Sequence, residues 1–275
     1  MPFPHDRTHP HQDLSVREFQ VLQGHMLGDG CLYLGESNKS PSLSMTRTAG
    51  DLEYLKWSAD VFRSRLTPSS VTSWNTFDQR TSKTYYSVGL RTRCDPAFTV
   101  HRSQWYEGRR KRVPQDMQLS SLAVAVWLAD DGSVTRSSRR SPEIKFATHS
   151  FTRQEVCYLA ELLTGCYGGP FHVHQVGERQ QYVIRTSGKP AKTLLRDVDN
   201  VFPPLDRKAN RWRHTELLTE RVTPPDCPRC ESPKVYYWAK SSKGVQQFKC
   251  CGCSRVFRED YERPGRDPRM KGQET

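Results

Sequence analysis

Two stretches of apolar residues at helical spacing each end in an Asp-Gly pair, and they lie 102 residues apart. The first, residues 22–30, reads Leu-Gln-Gly-His-Met-Leu-Gly-Asp-Gly, and the second, residues 124–132, reads Val-Ala-Val-Trp-Leu-Ala-Asp-Asp-Gly. After each pair the pattern changes to strand-like alternation, and helical spacing returns over residues 51–66 and 152–164. The chain therefore contains an internal repeat.

Each copy of the repeat continues with a pair of alternating runs and closes with a helix. The runs predict one hairpin in each copy, over residues 71–77 with 84–91 and residues 171–176 with 182–186. We therefore predict an α+β fold in which two pseudo-symmetric αββαββα halves, residues 14–116 and 117–217, pack through their Asp-Gly helices. Helices would cover one face of each antiparallel sheet and leave the other face open.

The open face of the first sheet would carry basic, hydroxyl and aromatic side chains. Its alternating positions are Ser44, Thr46, Thr48, Trp74, Thr76, Arg91 and Arg93. Such a strip suits a DNA groove, although an ordinary solvated face shows the same alternation. The arginines that we predict to contact DNA are Arg47, Arg91, Arg93, Arg110, Arg185 and Arg207.

The charge balance also indicates a polyanionic partner. The chain has 42 basic and 30 acidic residues, a net charge of +12, which is typical of nucleic-acid binding but also of proteins that are simply basic. No apolar run is long enough to span a bilayer, and residues 1–13 have no apolar core of a secretory signal. We expect an intracellular protein without membrane contact, with a flexible lead over residues 1–13.

The two Asp-Gly helices resemble the signature helices of LAGLIDADG homing endonucleases, and two motifs in one chain resemble the monomeric branch of that family. The resemblance covers about residues 14–217. In that family the two helices pack at a pseudo-twofold axis and each delivers one carboxylate to a site above the DNA minor groove. The resemblance implies that Asp29 and Asp131 are catalytic acids binding Mg²⁺, with the backbone carbonyls of Gly28 and Asp130 as further ligands. Gln23 and His25 depart from the consensus of the first motif.

The residue types of the motifs are physically consistent with this site. Small residues at Gly24, Gly28, Ala123, Ala125 and Ala129 would let the two helix backbones approach closely. Two carboxylates at the negative ends of two helix dipoles repel each other, and a divalent cation relieves that repulsion. Ligands that are all oxygen favour magnesium over softer metals. A single Asp-Gly pair is a common helix end. The evidence for a metal site is that two such pairs occur in register within a repeat.

Two basic elements also resemble parts of the family. Residues 110–114, Arg-Lys-Arg-Val-Pro, resemble its basic-x-aliphatic-Pro element, which makes Lys111 a candidate catalytic base. Residues 205–208 resemble the matching element of the second half, with Lys208 in the same role. A lysine near the scissile phosphate can position water or stabilise charge. The alternative is a basic patch that contacts phosphates without catalysis.

A cysteine quartet near the C-terminal end predicts a zinc site. Cys227 and Cys230 form one CxxC pair, and after nineteen residues Cys250 and Cys253 form another. This spacing is that of a structural Zn²⁺ site with four thiolates and no open position. We predict a zinc ribbon over residues 227–258 that resembles ribbons of transposase-like proteins, tethered by a linker at residues 218–226 and followed by a flexible tail at residues 259–275. Cys251 is not expected to be a ligand.

The predicted function is site-specific cleavage of double-stranded DNA, as in mobile introns. One alternative is an intron-splicing maturase that binds intron RNA, because a basic sheet does not reveal which nucleic acid it prefers. Another is a DNA-binding regulator that does not cleave, which would be expected to lose the acids or their basic partners. The retained acids and lysines favour the nuclease, which we expect to act as a monomer with internal pseudo-twofold symmetry.

Overall fold

The fold was analysed in a computed structural model that describes residues 14–136, 141–177, 181–201, 203–204, 224–240 and 246–258. The chain divides into two compact units, Met1–Glu216 and Leu217–Thr275. The predicted lead, the predicted tail and most of the predicted linker lie outside the described residues.

The first half of the larger unit has the predicted order αββαββα. Its elements are α1 (Val16–Leu27), β1 (Cys31–Tyr33), β2 (Ser42–Thr48), α2 (Leu52–Val61), β3 (Val71–Asp78), β4 (Lys83–Arg91) and α3 (Ala97–Trp105). The strands form an antiparallel sheet in the order β1-β2-β4-β3. A short hairpin of β5 (Tyr106–Glu107) and β6 (Arg110–Lys111), which the sequence pattern did not predict, follows α3.

The second half repeats the same order. Its elements are α4 (Ser121–Asp131), β7 (Gly132–Arg136), β8 (Pro142–Ala147), α5 (Arg153–Tyr167), β9 (His172–Val176), β10 (Gln181–Ser187) and α6 (Lys189–Asp199). The sheet order β7-β8-β10-β9 corresponds strand by strand to that of the first half. The registers also correspond, because Ser44 pairs with Arg91 on β4 and Lys145 pairs with Arg185 on β10. The predicted α+β repeat is confirmed.

Two helix lengths differ from the sequence prediction. Helix α2 ends at Val61, and a separate 3₁₀ turn follows at Arg63–Arg65, so the predicted helix over 51–66 is too long. Helix α5 continues beyond the predicted residue 164 to Tyr167, where Gly168 adopts the left-handed conformation, φ 65° and ψ 46°, that ends it.

Local sequence explains where the motif helices begin. Ser15 caps α1 through a reciprocal capping box with Glu18, and the Ser120 side chain caps α4 by accepting from the Ala123 backbone N–H. Helix α4 is apolar on all sides and buries every residue from Ala123 to Asp130. A helix of this kind belongs in the centre of a structure.

Helices α1 and α4 pack backbone to backbone. A Cβ atom on Gly24 would lie 2.5 Å from the Cβ of Val126 and 2.6 Å from the Ala123 carbonyl oxygen, and one on Gly28 would collide with the Asp130 side chain. Only glycine permits this approach at both positions. The prediction that small residues line the interface of the two helices is confirmed for Gly24 in α1 and for Gly28 directly after it.

The smaller unit contains a three-stranded antiparallel sheet. Its strands, β11 (Val235–Lys240), β12 (Gln246–Cys250) and β13 (Val256–Arg258), lie in chain order and where the sequence predicts them. Phe248 and Phe257 form its small core together with buried cysteines. Among the described residues of both units, no helix is both long and apolar enough to cross a bilayer.

Candidate functional site

The acids at the ends of the two motif helices differ in exposure. The Asp29 side chain, two residues beyond α1, is 40% exposed, whereas that of Asp130 is 1% exposed. Asp131, the last residue of α4, is partly exposed. Asp29 and Asp131 are therefore the acids that solvent reaches, while Asp130 faces the interior.

The buried Asp130 carboxylate accepts hydrogen bonds from several donors of the first half. The Tyr54 hydroxyl donates over 2.7 Å, the Asp29 backbone N–H over 3.3 Å and the Arg47 guanidinium over 3.3 Å. Nδ1 of His25 lies 2.9 Å from the same carboxylate. Burial by itself would raise the pKa of Asp130, but His25, Arg47 and Tyr54 outweigh it and hold that pKa below its ordinary value.

His25 connects Asp130 to helix α2. Its ring is fully buried, and its Nε2 lies 3.2 Å from the Ser58 hydroxyl. With a proton on Nδ1 donated to Asp130, Nε2 can accept from Ser58, so both ring nitrogens have partners in the neutral form. The departure of His25 from the aliphatic consensus is thus matched by polar groups on two other helices.

Arg47 is buried next to Asp29 and does not lie on the open face of the sheet. Its side chain is 4% exposed, it forms an ion pair with Asp29, and its Nε lies 3.4 Å from a carboxylate oxygen of Asp51. The reason is strand alternation: Thr46 and Thr48 are exposed, so the residue between them points toward the helices. The prediction that Arg47 contacts DNA is wrong, because carboxylates surround the guanidinium inside the protein.

Lys111 lies beside the first acid. Strand β6 carries it there, and its ammonium donates to the carbonyl oxygens of Gly28, at 3.0 Å, and Gly30, at 2.8 Å, which flank Asp29. Burial lowers the pKa of Lys111 even though nearby acids, among them Asp131, act to raise it. The structure thus brings together Asp29, Gly28 and Lys111, which the sequence connected only through resemblance.

Four of the other arginines with predicted DNA contacts are at least partly exposed. The exposed fractions of the side chains are 56% for Arg93, 44% for Arg110 and 42% for Arg185. Arg91 is also exposed and lies 4.7 Å from the centre of the Tyr33 ring. The predicted residues Arg207 and Lys208 lie outside the described residues.

The sequence did not predict the buried residues that form the polar network next to Asp29. These are Asp51 and Tyr54, together with His25, which was noted only as a departure from the motif. A histidine within a buried apolar helix does signal a need for a buried polar partner. The identity of that partner is not contained in the local pattern, because it comes from another helix.

The four predicted zinc ligands meet in the smaller unit. The Sγ atoms of Cys227 and Cys253 are 3.5 Å apart, as are those of Cys230 and Cys250, and all four lie within 4.8 Å of one another. Thiolates around one tetrahedral Zn²⁺ are about 3.8 Å apart, so the cluster matches the geometry of such a site. The backbone N–H of Gly252 donates to the Cys250 Sγ over 3.3 Å. Cys251 is exposed and outside the cluster.

Comparisons with known proteins give a family match and a similar fold. The LAGLIDADG DNA endonuclease family matches residues 19–194. A cytochrome b mRNA maturase of Debaryomyces hansenii is 24% identical over 199 residues, which are 70% of this chain and 72% of that protein. The structure of the homing endonuclease I-WcaI bound to its DNA recognition sequence superposes with a TM-score of 0.63 at 18% identity, covering 71% of this chain and 87% of that one.

A further relative is an uncharacterised protein of Methanocaldococcus jannaschii. It is 27% identical over 117 residues, which are 42% of this chain. The match spans 45% of the length of that protein.

Proposed function

Since the chain belongs to the LAGLIDADG DNA endonuclease family, we propose that it cuts double-stranded DNA at a specific site, as a single-chain homing endonuclease with two motifs. The observation that carries this proposal is the close packing of α1 and α4, which end in two solvent-accessible acids, Asp29 and Asp131. Pseudo-twofold symmetry would then assign one acid to each DNA strand. A monomer is sufficient for such a site, because one chain supplies both halves.

Divalent metal fits the oxygen-rich end of these helices. The Asp29 and Asp131 carboxylates and the backbone carbonyls of Gly28 and Asp130 would hold Mg²⁺. Two cationic side chains already gather there, Arg47 on the Asp29 carboxylate and Lys111 on the Gly28 carbonyl, so the position favours positive charge. When bound, magnesium would activate a water and stabilise charge on the scissile phosphate.

Lys111 and Arg47 would hold Asp29 in position to bind the metal. Lys111 donates hydrogen bonds to the backbone carbonyls on both sides of Asp29. These bonds would hold the turn that carries the Asp29 carboxylate. The lowered pKa of Lys111 also makes the neutral amine, which a catalytic base requires, easier to form than on an exposed lysine. Arg47 orients Asp29 from the buried side, and we assign it a positioning role. Lys208 would serve the second strand.

The open sheet faces would contact the DNA backbone and grooves. Arg91 and Arg185 occupy equivalent registers in the two sheets, so they would make pseudo-symmetric contacts. Arg93 and Arg110 extend this basic surface in the first half. Contacts of this type position the duplex, while specificity depends on contacts with base edges.

We also propose that the cysteine cluster binds structural Zn²⁺. The four sulfurs fill a tetrahedral site and leave no position for a substrate, so zinc would stabilise the ribbon and take no part in catalysis. The linker would keep the ribbon attached to the DNA-binding halves. We place the protein inside the cell or an organelle, where thiols stay reduced.

RNA splicing is the second candidate function. It is favoured by the match to the cytochrome b mRNA maturase over 70% of the chain. A maturase would bind intron RNA through the same basic faces and would not need the acids. A regulator that does not cleave is a weaker candidate, because both acids and Lys111 are present.

Cleavage of a randomised duplex library with Mg²⁺ tests the proposal. The wild-type chain should cut a defined sequence, and the Asp29→Asn/Asp131→Asn variant should lose cutting but keep DNA affinity, because the acids bind metal and not bases. Equal cutting by the variant would refute the assignment of the acids. Tight binding without cutting, together with preferential binding of structured intron RNA, would favour the maturase.

A further inference from the structure

One face of the ribbon sheet exposes an aromatic pair. Tyr236 and Trp238 on β11 are 41% and 52% exposed, and their ring centres are 6.1 Å apart in an edge-to-face arrangement. The register places Tyr236 opposite Lys249 on β12, and Lys249 opposite Val256 on β13. This row of residues, which we call the aromatic face, continues across all three strands.

The opposite face of the same sheet already forms the ribbon core. Phe248 is fully buried, Phe257 is 5% exposed, and Cys227 and Cys250 are buried beside them. Packing among residues 224–240 and 246–258 therefore does not account for the aromatic face. An exposed tryptophan next to an exposed tyrosine on a small domain is unusual and is typical of a binding surface.

Positive charge lies beside the exposed rings. The Lys249 ammonium is 4.3 Å from the centre of the Trp238 ring, and Arg258 is exposed at the far edge of the sheet. The described residues of the ribbon, 224–240 and 246–258, contain six basic and two acidic residues. The face therefore combines flat apolar surfaces with cations, which complements a polyanion that carries planar groups.

We propose that the aromatic face binds unpaired nucleotides of single-stranded DNA, with a base stacked on Trp238 and the neighbouring phosphates near Lys249 and Arg258. Stacking requires a free base surface, which a duplex covers with its own neighbouring bases and a single strand offers. The choice of DNA over RNA rests on the proposed nuclease function, since both polymers carry bases and phosphates. The stacking site itself does not depend on cleavage.

Cross-linking on the zinc-loaded full chain locates the site. An oligodeoxynucleotide that contains 5-iododeoxyuridine is irradiated in complex with the protein, and the linked peptide is identified by mass spectrometry. We expect the link on Tyr236 or Trp238. A link only within residues 14–201 would overturn the proposal, and this readout is independent of whether the chain cuts DNA.

Binding measurements then test the stacking chemistry. Fluorescence anisotropy with a labelled 20-nucleotide single strand should show about 10-fold weaker binding for Trp238→Ala, the lower part of the range for loss of one stacked base. Trp238→Phe keeps a ring and should recover most of the affinity, and equal zinc content shows that each variant is folded. A matched duplex should bind both variants as it binds the wild type.

Three results would contradict the proposal. Unchanged single-strand affinity of Trp238→Ala would exclude stacking. An equal loss for the duplex would indicate a groove contact, and a loss confined to single-stranded RNA of the same length would assign the face to RNA.

Lys249→Gln should weaken binding less than Trp238→Ala. It should also reduce the salt dependence of binding, because a lysine that contacts a phosphate releases a counterion from the nucleic acid.

Discussion

The two halves surround the ends of their motif helices with different chemistry. In the first half, His25 and Arg47 contact the buried Asp130 carboxylate. The offset between the motifs places Trp127 at the position of His25, and the strand registers place Thr148 at the position of Arg47. Trp127 stacks on Phe146 at 4.2 Å, and the Thr148 hydroxyl donates to the Tyr182 carbonyl.

The two halves share their backbone elements but differ in their buried polar groups. Both halves keep the apolar periods that build helix and sheet, and both keep an accessible acid. In the first half, ionic groups lie between the acid and the core, and Asp130 of the second half completes that network. Thus the symmetry of the backbone does not extend to the buried polar groups.

The largest expected effect comes from Arg47→Ala, which breaks the network. The variant leaves Asp51 and Asp130 buried with a missing counterion, and we expect a loss of about 3–5 kcal/mol in the free energy of unfolding. Urea unfolding of the larger unit, followed by circular dichroism, measures it. Arg47→Lys is the matched control, because it keeps the charge and should lose less. A loss below about 1 kcal/mol would show that the network is not stabilising.

Gly28→Ala tests the helix contact on which both halves depend. The new methyl group would overlap the Asp130 side chain, and overpacking of this kind costs about 1–3 kcal/mol. Gly165→Ala is the control, since this helical position in α5 has no atom within 4 Å of the added Cβ and should gain up to about 1 kcal/mol from helix propensity. Similar melting temperatures for the two variants would contradict the close approach of α1 and α4.

Thr148→Val tests the second-half position that is equivalent to Arg47. It removes one neutral hydrogen bond, to the Tyr182 carbonyl, so we expect a loss of about 1 kcal/mol. The position equivalent to Arg47 would then contribute several-fold less in the second half than in the first. Equal losses for Thr148→Val and Arg47→Ala in the same urea titration would remove the asymmetry.

The last expected effect is a change in how the stability depends on pH. Because the folded-state pKa of Asp130 is lowered, its carboxylate contributes stability above its unfolded pKa, near 4, that disappears as the pH falls through the folded value. Thermal melts between about pH 5 and pH 2 should therefore show a steeper loss of stability for the wild type than for Asp130→Asn. Parallel profiles would mean that other carboxylates account for the acid sensitivity.

Much of the fold follows from the sequence pattern. The αββαββα repeat, the hairpin over β3 and β4, and the ribbon strands lie where periodicity places them. The exceptions are the ends of α2 and α5 and the hairpin of β5 and β6, whose strands have two residues each and are too short to leave a periodic signal.

The candidate site is less predictable. Resemblance to the family indicates Asp29 and Lys111, and spacing indicates the four cysteines, which the structure brings together. Arg47 is among the residues that we predict from the sequence to contact DNA, but it is buried beside carboxylates. Its position in the alternation, between Thr46 and Thr48, already places it on the covered face.

The sequence by itself therefore determined most of the helices and strands, their repetition, and the four cysteines that lie together. Only the tertiary structure decided which buried polar groups meet. Tyr54 and His25 lie 76 and 105 residues from Asp130 along the chain, yet both contact its carboxylate. Local periodicity reports which face of an element is buried, whereas a buried charge requires partners that packing brings from distant elements.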